Sequence, residues 1–199
     1  MRDEDELIRA ARGGDRRAFD DLVERKRERV VRTAFQITGD WEDAKDVAQG
    51  VFLRLFKVLS RFDPGRKFDT WIYRITVNAA IDVLRERGPK GMIQPLPDVS
   101  TLAVADPSPG AERALDLAEL QAAFLRLASL LPPKQRAVFV LREIEGRPTD
   151  EIARVLDITE STVRNHLLQA RRSLRAGLER DYPGLLDFAL GGGSSEERE

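Results

Sequence analysis

The chain has 199 residues, 42% of them hydrophobic and 34% charged, which is enough apolar material for helical cores of ordinary size. It has no cysteine and a single histidine, His166, which excludes a disulfide framework and a zinc site built from cysteine and histidine clusters. Lysine plus arginine (33) nearly balances aspartate plus glutamate (34), whereas a protein that binds DNA unaided usually carries a basic surplus.

The first residues, "MRDEDELIRA", are too polar for a secretory signal, and no apolar run reaches the length of a membrane span. We therefore expect a cytoplasmic protein without membrane insertion, and we expect no cofactor and no metal.

Residues 1–88 carry apolar side chains at three- and four-residue steps, which predicts amphipathic helices rather than strands. Gly39 is predicted to end one long helix, and "DPGRK" (63–67) is predicted to separate a second helix from a third over residues 68–87. The apolar stripes of the first two are Phe19, Leu22, Val23, Val30, Ala34 and Ile37, then Ala44, Val47, Ala48, Val51, Leu55 and Leu59. These helices are expected to form one small domain.

Residues 89–111 have a different composition. They contain Pro89, Pro95, Pro97, Pro107 and Pro109 and no helical period. A proline-rich stretch of this kind predicts an extended linker between two domains.

Residues 112–180 return to helical spacing and predict a second small domain, followed by a tail (181–199) to which no role is assigned. Within it, "TDEIARVLDITESTVRNHLLQARRSLR" (149–175) reads as two helices joined by a short turn. Their inner faces are Ile152, Ala153 and Leu156, then Val163, Leu167, Ala170 and Leu174. A short turn between two such faces predicts a helix-turn-helix. The whole chain is therefore predicted to be all-α.

The second helix of this motif is predicted to expose side chains that can contact DNA. Arginine, asparagine and glutamine can make paired hydrogen bonds to base edges, and leucine can contact a thymine methyl group. Hydroxyl groups at a helix start suit phosphate. The predicted set is Ser161, Thr162, Arg164, Asn165, Leu168, Gln169, Arg171 and Arg172. The alternative is a solvent-exposed arginine-rich face without a ligand.

Catalysis is not indicated. The chain shows no Ser/His/Asp set, phosphate-binding loop or metal cluster, so we expect no enzyme. Two other classes stay open: a helix-turn-helix transcription regulator that binds operators without polymerase, and a protein-interaction adaptor. A regulator would be expected to carry a ligand pocket or phosphoacceptor site in its first domain.

Three stretches, in this order, resemble the sigma-70 family of bacterial RNA polymerase sigma factors, of the extracytoplasmic-function type. "GDWEDAKDVAQGVFLRLFK" is similar to the polymerase-binding helix, and "FDPGRKFDTWIYRITVNAAIDVLRER" to the promoter-melting segment. "LPPKQRAVFVLREIEGRPTDEIARVLDITESTVRNHLLQARRSLR" is similar to the promoter-reading domain. The resemblance covers about residues 5–180, with a linker where the family has one.

The resemblance implies a transcription initiation factor that binds core RNA polymerase, melts the minus-10 element with its first domain and reads the minus-35 element with its second. The balanced charge then has a reason, because one acidic face would meet polymerase while basic residues meet promoter DNA. That face is expected to be Asp40, Glu42, Asp43 and Asp46. An anti-sigma factor is a further partner that the family implies.

Residue by residue, the resemblance implies polymerase contacts by Asp43, Asp46, Gln49 and Phe52, which follow one another at three-residue steps. The alternative is a solvated acidic face with Phe52 in the core. Lys45 and Gly50 depart from the family pattern, which usually has acidic residues at these positions.

The implied minus-10 contacts are Trp71, Arg74, Asn78 and Arg85. Asn78 matches the family position that helps to hold a base flipped out of the non-template strand, where an amide supplies both a donor and an acceptor. Trp71 and Tyr73 are candidate stacking surfaces, although Trp71 fits equally well as a core residue and Tyr73 could merely cap it. Asp82 is expected to orient an arginine.

Overall fold

The computed structural model describes residues 3–88, 123 and 126–183, and every regular element in this part of the chain is helical. The N-terminal helices are α1 (Glu4–Arg12), α2 (Arg16–Thr38), α3 (Trp41–Val58) and α4 (Phe68–Arg87), with a 3-10 turn at Leu59–Arg61. The C-terminal helices are α5 (Pro133–Phe139), continued by a π-helical segment at Val140–Ile144, then α6 (Thr149–Leu156) and α7 (Glu160–Asp181). The predicted all-α fold with two helical domains is confirmed.

The predicted linker, residues 89–111, lies outside the described residues, as do the start of the second predicted domain and residues 184–199 of the tail. The exact domain boundaries therefore stay predictions.

Side chains and one glycine define the ends of the N-terminal helices. Asp3, Asp15 and Asp40 are the N-cap residues of α1, α2 and α3, and each accepts a hydrogen bond from a backbone N–H of the first turn. Gly39 ends α2, as predicted: its φ of 69° is left-handed, and its N–H donates to the Phe35 carbonyl at 2.7 Å.

The core of the N-terminal domain lies between α2, α3 and α4. Leu22, Ile37, Leu55, Val77 and Leu84 are fully buried there, and each such side chain contributes about 1.5–3 kcal/mol through burial.

Helix α1 is tied to this core by a charged cluster as well as by apolar packing. Lys26 of α2 is 8% exposed, and its Nζ donates to Glu4 of α1 at 2.7 Å and to Asp69 of α4 at 2.6 Å. Arg29 also donates to Asp69, at 2.9 Å. One ammonium group therefore connects three helices.

The C-terminal domain contains the predicted helix-turn-helix. Helix α6 ends at Asp157, whose φ of 55° is left-handed, and Thr159 then caps α7 by accepting from the N–H of Thr162 at 3.2 Å. Farther along, Leu127 packs closely over Gly177 of α7: a Cβ atom there would lie 2.5 Å from Leu127 Cδ2.

The two domains contact each other through α4, which packs against α5 and α6. Buried apolar residues of both domains, among them Val77 and Ile81 of α4 and Ile152 and Val155 of α6, belong to one continuous cluster. The predicted minus-10 helix is therefore in contact with the helix-turn-helix.

Candidate nucleic-acid and protein interfaces

The predicted minus-35 residues all lie along α7 on its solvent side. Thr162 is half-buried and every other member of the set is exposed, including Leu168 at 47%. Val163, Ala170 and Leu174 are buried on the opposite side of the helix. Because α7 buries one face in the domain, it presents the other as a continuous polar surface.

The start of α7 is a compact cluster of hydroxyl groups. Thr159 Oγ1 lies 2.8 Å from Ser161 Oγ and 2.7 Å from Thr162 Oγ1. The first backbone N–H groups of the helix lie in the same turn. Such a helix start can donate to a phosphate oxygen.

The arginines on the exposed face of α7 are held by weak surface pairs. Arg164 donates to Glu160 at 3.3 Å and Arg171 to Glu143 at 2.7 Å. Exposed pairs of this kind stabilise a fold by about 0.2–1 kcal/mol, so a phosphate or a guanine can replace the carboxylate at small cost. The side chains of Asn165 and Arg172 have no hydrogen bond or ion pair with another described residue.

His166 is half-buried on α7, near the charge of Lys134 on α5. Burial, together with the nearby charge of Lys134, lowers the pKa of His166 below its usual value. The imidazole is therefore neutral at pH 7 and adds no charge to the helix.

Two of the predicted minus-10 residues are held at the surface of α4 by neighbours. Trp71 is half-buried, with its ring centroid 4.8 Å from that of Phe62 and 5.9 Å from that of Phe68. Arg85 is exposed and donates to Asp82 at 3.1 Å, so Asp82 does orient an arginine as expected. Trp71 thus combines a packing role with a partly open ring.

The other two predicted minus-10 residues meet the helix-turn-helix. Asn78 Nδ2 donates to the Arg74 carbonyl at 2.9 Å and lies 3.5 Å from the carbonyl oxygen of Val155. Arg74 lies 3.8 Å from the carboxylate of Asp157.

Tyr73 is not an open stacking surface, contrary to the expectation from the sequence. It is 5% exposed, and its hydroxyl donates to Glu145 Oε2 at 2.5 Å. The guanidinium carbon of Arg147 lies 4.4 Å from the centroid of its ring. Burial and the hydrogen bond to Glu145 raise the pKa of Tyr73 well above its usual value.

The predicted polymerase-binding residues of α3 do not share one exposed face. Asp43 is 6% exposed and forms an ion pair with Arg87 at the end of α4, whereas Asp46 and Gln49 are exposed and Phe52 is half-buried. Burial raises the pKa of Asp43 in spite of the opposing charge of Arg87. In this arrangement the Asp43 carboxylate is not available to a partner, and its polymerase contact stays a prediction.

The acidic face expected on α3 is divided for the same reason. Asp40 caps the helix and lies 3.8 Å from Arg87, and Asp43 is buried beside it. Glu42 is paired with Lys45 at 2.6 Å. Of the expected set, Asp46 is the carboxylate on the exposed stripe described next.

An exposed apolar stripe on α3 was missed by the sequence reasoning. Leu53 is 57% exposed and Phe56 is 55% exposed, and they continue the line of Asp46 and Gln49 along the helix. The ring of Phe56 meets that of Phe19 of α2 edge-on at 5.2 Å. With Val23 and Phe52 these residues line an open groove between α2 and α3.

The sequence did contain a signal for this groove. Leu53 and Phe56 are out of phase with the buried stripe of Val51 and Leu55, so a helix that buries one set must expose the other.

None of the helices in residues 3–88 and 126–183 is both long and apolar enough to cross a membrane.

Two family models match the chain. The model described as Sigma-70 region 2 matches residues 22–89, and the model described as Sigma-70, region 4 matches residues 121–174. The first match covers most of α2 and all of α3 and α4, and the second includes α5, α6 and most of α7.

Several named relatives are similar over most of the chain. The extracytoplasmic-function RNA polymerase sigma factor SigW of Bacillus subtilis is 30% identical over 178 residues, covering 86% of this chain and 94% of SigW. The RNA polymerase sigma-H factor of Pseudomonas aeruginosa is 32% identical over 184 residues, covering 87% and 93%. SigE of Mycolicibacterium smegmatis is 35% identical over 159 residues, which are 79% of this chain and 60% of SigE.

Two solved structures are also similar. One is CnrH in complex with the cytosolic domain of CnrY, with a TM-score of 0.56, 29% identity, and coverage of 90% of this chain and 99% of the matched chain. The other is the sigma factor RpoE in complex with the anti-sigma factor NepR from Bartonella quintana, with a TM-score of 0.54, 19% identity, and coverage of 82% and 98%. The second likeness concerns the fold alone.

Proposed function

The chain belongs to the extracytoplasmic-function group of the sigma-70 family of RNA polymerase sigma factors, and we propose how its domains divide the work of transcription initiation. Helix α3 binds core RNA polymerase, α4 reads and melts the minus-10 element, and α7 reads the minus-35 element. One observation carries this proposal: seven of the eight α7 side chains proposed to contact DNA are exposed, in a chain whose residues 22–89 match Sigma-70 region 2.

Minus-35 reading is supported by the placement of α7 on the surface. Its exposed arginine and amide side chains suit base edges in the major groove, which is wide enough for a helix. The hydroxyl cluster at Thr159, Ser161 and Thr162 suits the adjacent phosphate backbone.

Minus-10 melting is assigned to α4. The Asn78 amide can hydrogen-bond a flipped base, and the half-open ring of Trp71 offers a stacking surface worth about 1–3 kcal/mol per base. Arg74 and Arg85 would hold the phosphates on either side. In this structure Arg74 pairs with Asp157 and Arg85 pairs with Asp82. Both carboxylates are exposed, so a phosphate can replace them.

Polymerase binding is assigned to the exposed stripe of α3. Asp46 and Gln49 supply its polar part, and Phe52, Leu53 and Phe56 supply an apolar groove. Exposed apolar side chains in one continuous patch are typical of protein–protein interfaces. We include Asp43 in the polymerase contact only for a conformation in which its ion pair with Arg87 is broken.

We propose further that an anti-sigma factor binds this chain, because the similar RpoE structure is a complex of a sigma factor with the anti-sigma factor NepR. The chain would act in the cytoplasm, with polymerase and promoter DNA. Its relatives are named as sigma factors, and we propose that it too catalyses no reaction by itself. A regulator that works without polymerase is not favoured, because region 2 occupies the domain where such a protein would carry its sensing site.

In vitro transcription tests the proposal. The purified chain is added to core RNA polymerase with a library of promoter fragments, and transcript starts are mapped by sequencing, with core enzyme alone as the control. We expect starts downstream of fragments that share two elements at a fixed spacing. Starts that match those of core enzyme alone, or a chain that does not co-purify with polymerase, would refute it.

A further inference from the structure

One side chain of the assigned minus-35 face is held by an uncharged partner. Gln169 of α7 is exposed, and its Oε1 accepts a hydrogen bond from Nε2 of Gln135 on α5 at 2.7 Å. Among the described residues, Gln135 is the one side-chain hydrogen-bond partner of Gln169. Arg164 and Arg171 on the same face are held by carboxylates instead. DNA must displace a carboxylate, whereas a neutral amide carries no charge that DNA repels and can stay in place.

Both glutamines stand on main chain that is held in place by burial. Arg136, next to Gln135, is 5% exposed and packs against Gly39, at the turn between α2 and α3. Ala170, next to Gln169, is fully buried, and α5 packs against α7. The hydrogen bond therefore joins two side chains whose main chains are fixed relative to each other.

The bond leaves Gln169 with the hydrogen-bonding capacity that adenine requires. A side-chain amide has two acceptor lone pairs on its oxygen and two N–H donors. Gln135 occupies one lone pair, so one lone pair and both N–H groups stay available. In the major groove adenine presents one donor, its N6 amino group, and one acceptor, N7, and a glutamine amide can pair with both.

We propose that Gln135 is a positioning residue for promoter reading: it fixes the amide of Gln169 so that this side chain selects adenine at one base pair of the minus-35 element. This inference rests on the function proposed above for α7, and Gln135 itself contacts no base. Without a partner, the amide of an exposed glutamine can turn over and exchange the positions of its oxygen and nitrogen. Holding the amide orders a flexible side chain before DNA arrives, which lowers the entropy lost on binding.

Three substitutions of Gln135 separate the two orientations of the Gln169 amide. Gln135→Lys offers only donors, so it keeps Gln169 Oε1 as the acceptor. Gln135→Glu has the size of glutamine but offers only acceptors, so Gln169 must donate to it, and this turns the amide over. Gln135→Met removes the donor and keeps the length of the side chain.

Two further variants serve as references. Gln169→Ala identifies the base pair that Gln169 reads, and combined with Gln135→Met it completes a double-mutant cycle. Lys134→Gln is the charge control for Gln135→Glu, because it lowers the net charge by the same amount at the neighbouring position. The Lys134 side chain has no hydrogen bond or ion pair with another described residue. A change in charge alone alters binding to all sequences alike.

Holoenzyme binding to promoter variants is the measurement. Each minus-35 base pair of a promoter recovered from the library is replaced in turn by the other three, and circular dichroism checks the fold of each protein variant. We expect the parent chain and Lys134→Gln to prefer adenine by at least about fivefold at the base pair that Gln169→Ala identifies. Gln135→Lys should keep this preference and Gln135→Glu should abolish it. Gln135→Met should reduce it by about twofold or more, but should change nothing further in the Gln169→Ala background.

A bond that only fastens α5 to α7 would lower the melting temperature of the Gln135 variants and leave base preference unchanged. Equal preference in the parent, Gln135→Met and Gln135→Glu therefore overturns the positioning role. So does a base other than adenine at that position, an unchanged preference in Gln169→Ala, or a preference that Gln135→Glu keeps and Gln135→Lys loses. If the parent holoenzyme has no preference at any minus-35 base pair, the function proposed for α7 fails, and the positioning role fails with it.

Discussion

Lys26 places a positive charge inside the N-terminal domain, where an apolar side chain would be expected from the helical stripe. The charge is tolerated because Glu4 and Asp69 approach it at 2.7 and 2.6 Å from two other helices. Burial by itself would raise the pKa of Asp69, but the hydrogen bonds and charges of Lys26 and Arg29 outweigh burial and lower it. A single residue thereby orients both α1 and the start of α4.

We expect Lys26→Met to lower the free energy of unfolding by about 1–3 kcal/mol, because two carboxylates lose a charged hydrogen-bond donor. Arg29→Met, at the exposed edge of the same cluster, should cost about 0.2–1 kcal/mol. Urea unfolding at pH 7 measures both. Equal losses in the free energy of unfolding for the two variants would mean that the buried Lys26 stabilises the domain no more than the exposed Arg29 does.

The same cluster gives a pH dependence. Because the pKa of Asp69 is lower in the folded chain than in the unfolded chain, its stabilisation is present above about pH 4 and is lost as the pH falls through the folded value. The stability difference between the parent chain and Lys26→Met should therefore shrink below pH 4. A difference that stays constant down to pH 2 would contradict this assignment.

Gly50 and Gly177 are both helical glycines, but their surroundings differ. A Cβ atom at Gly50 meets nothing within 4 Å, so Gly50→Ala should stabilise α3 by about 0.5–1 kcal/mol. A Cβ atom at Gly177 would meet Leu127 at 2.5 Å, so Gly177→Ala should destabilise the C-terminal domain by about 1–3 kcal/mol. Thermal unfolding of the two variants is the measurement, and shifts of the same sign would contradict the packing described here.

At the scale of elements, α3 and α7 each bury one face and expose a face with a different chemistry. On α7 the exposed face is polar and basic, with surface pairs that a nucleic acid can replace. On α3 it is a short polar segment followed by large apolar side chains. The difference matches a helix that reads DNA and a helix that docks on protein.

Asn165→Ala tests the reading helix. The side chain is exposed and has no partner among the described residues, so its loss should leave the fold unchanged. We expect holoenzyme binding to minus-35 DNA to weaken by about 1–3 kcal/mol, with relaxed preference at one base pair. Binding is measured on promoters recovered from the library, with Glu179→Ala as control. Unchanged preference at every position would remove Asn165 from the reading face.

Leu53→Asp tests the docking helix. A charge in the middle of an apolar groove should weaken binding of core polymerase by at least about tenfold, or 1.4 kcal/mol, while the exposed position leaves stability nearly unchanged. Ser60→Asp adds the same charge just beyond the helix and serves as control. The measurement is titration of labelled chain with core enzyme. Equal affinities for both variants would place the polymerase contact elsewhere.

At the scale of the whole molecule, the net charge of −1 bears on how strongly the chain binds DNA by itself. The chain lacks the basic surplus that gives autonomous DNA binders their affinity. We expect the free chain to bind promoter DNA at least about a hundredfold more weakly than the holoenzyme does, because polymerase joins the two reading domains into one bivalent complex. Equilibrium binding at one salt concentration, with and without core enzyme, checks this. Tight binding by the free chain would contradict it.

Patterns local in sequence predicted much of this architecture. The stripes of α2 and α3, the stop at Gly39 and the exposed set on α7 follow from spacing within one helix, and spacing is what a single sequence displays. Leu53 and Phe56 were open to the same reasoning, since they fall off the buried stripe.

Interactions between distant positions were not predicted. Lys26 finds partners 22 and 43 residues away, and Tyr73 finds Glu145 72 residues away. Asp43 looked like a surface carboxylate because its partner, Arg87, lies at the far end of another helix. Such burial depends on how helices are arranged in space, and helical periodicity carries no information about that arrangement.

The contact between Gly39 and Arg136 also bears on the order in which the molecule is assembled. The Arg136 guanidinium lies where a Cβ atom at position 39 would be, so this contact requires the left-handed glycine that ends α2. The C-terminal domain can therefore make this contact only after the turn between α2 and α3 has formed. Ribosomal synthesis releases the N-terminal domain first, so a nascent chain can form the turn at Gly39 before α5 has left the exit tunnel.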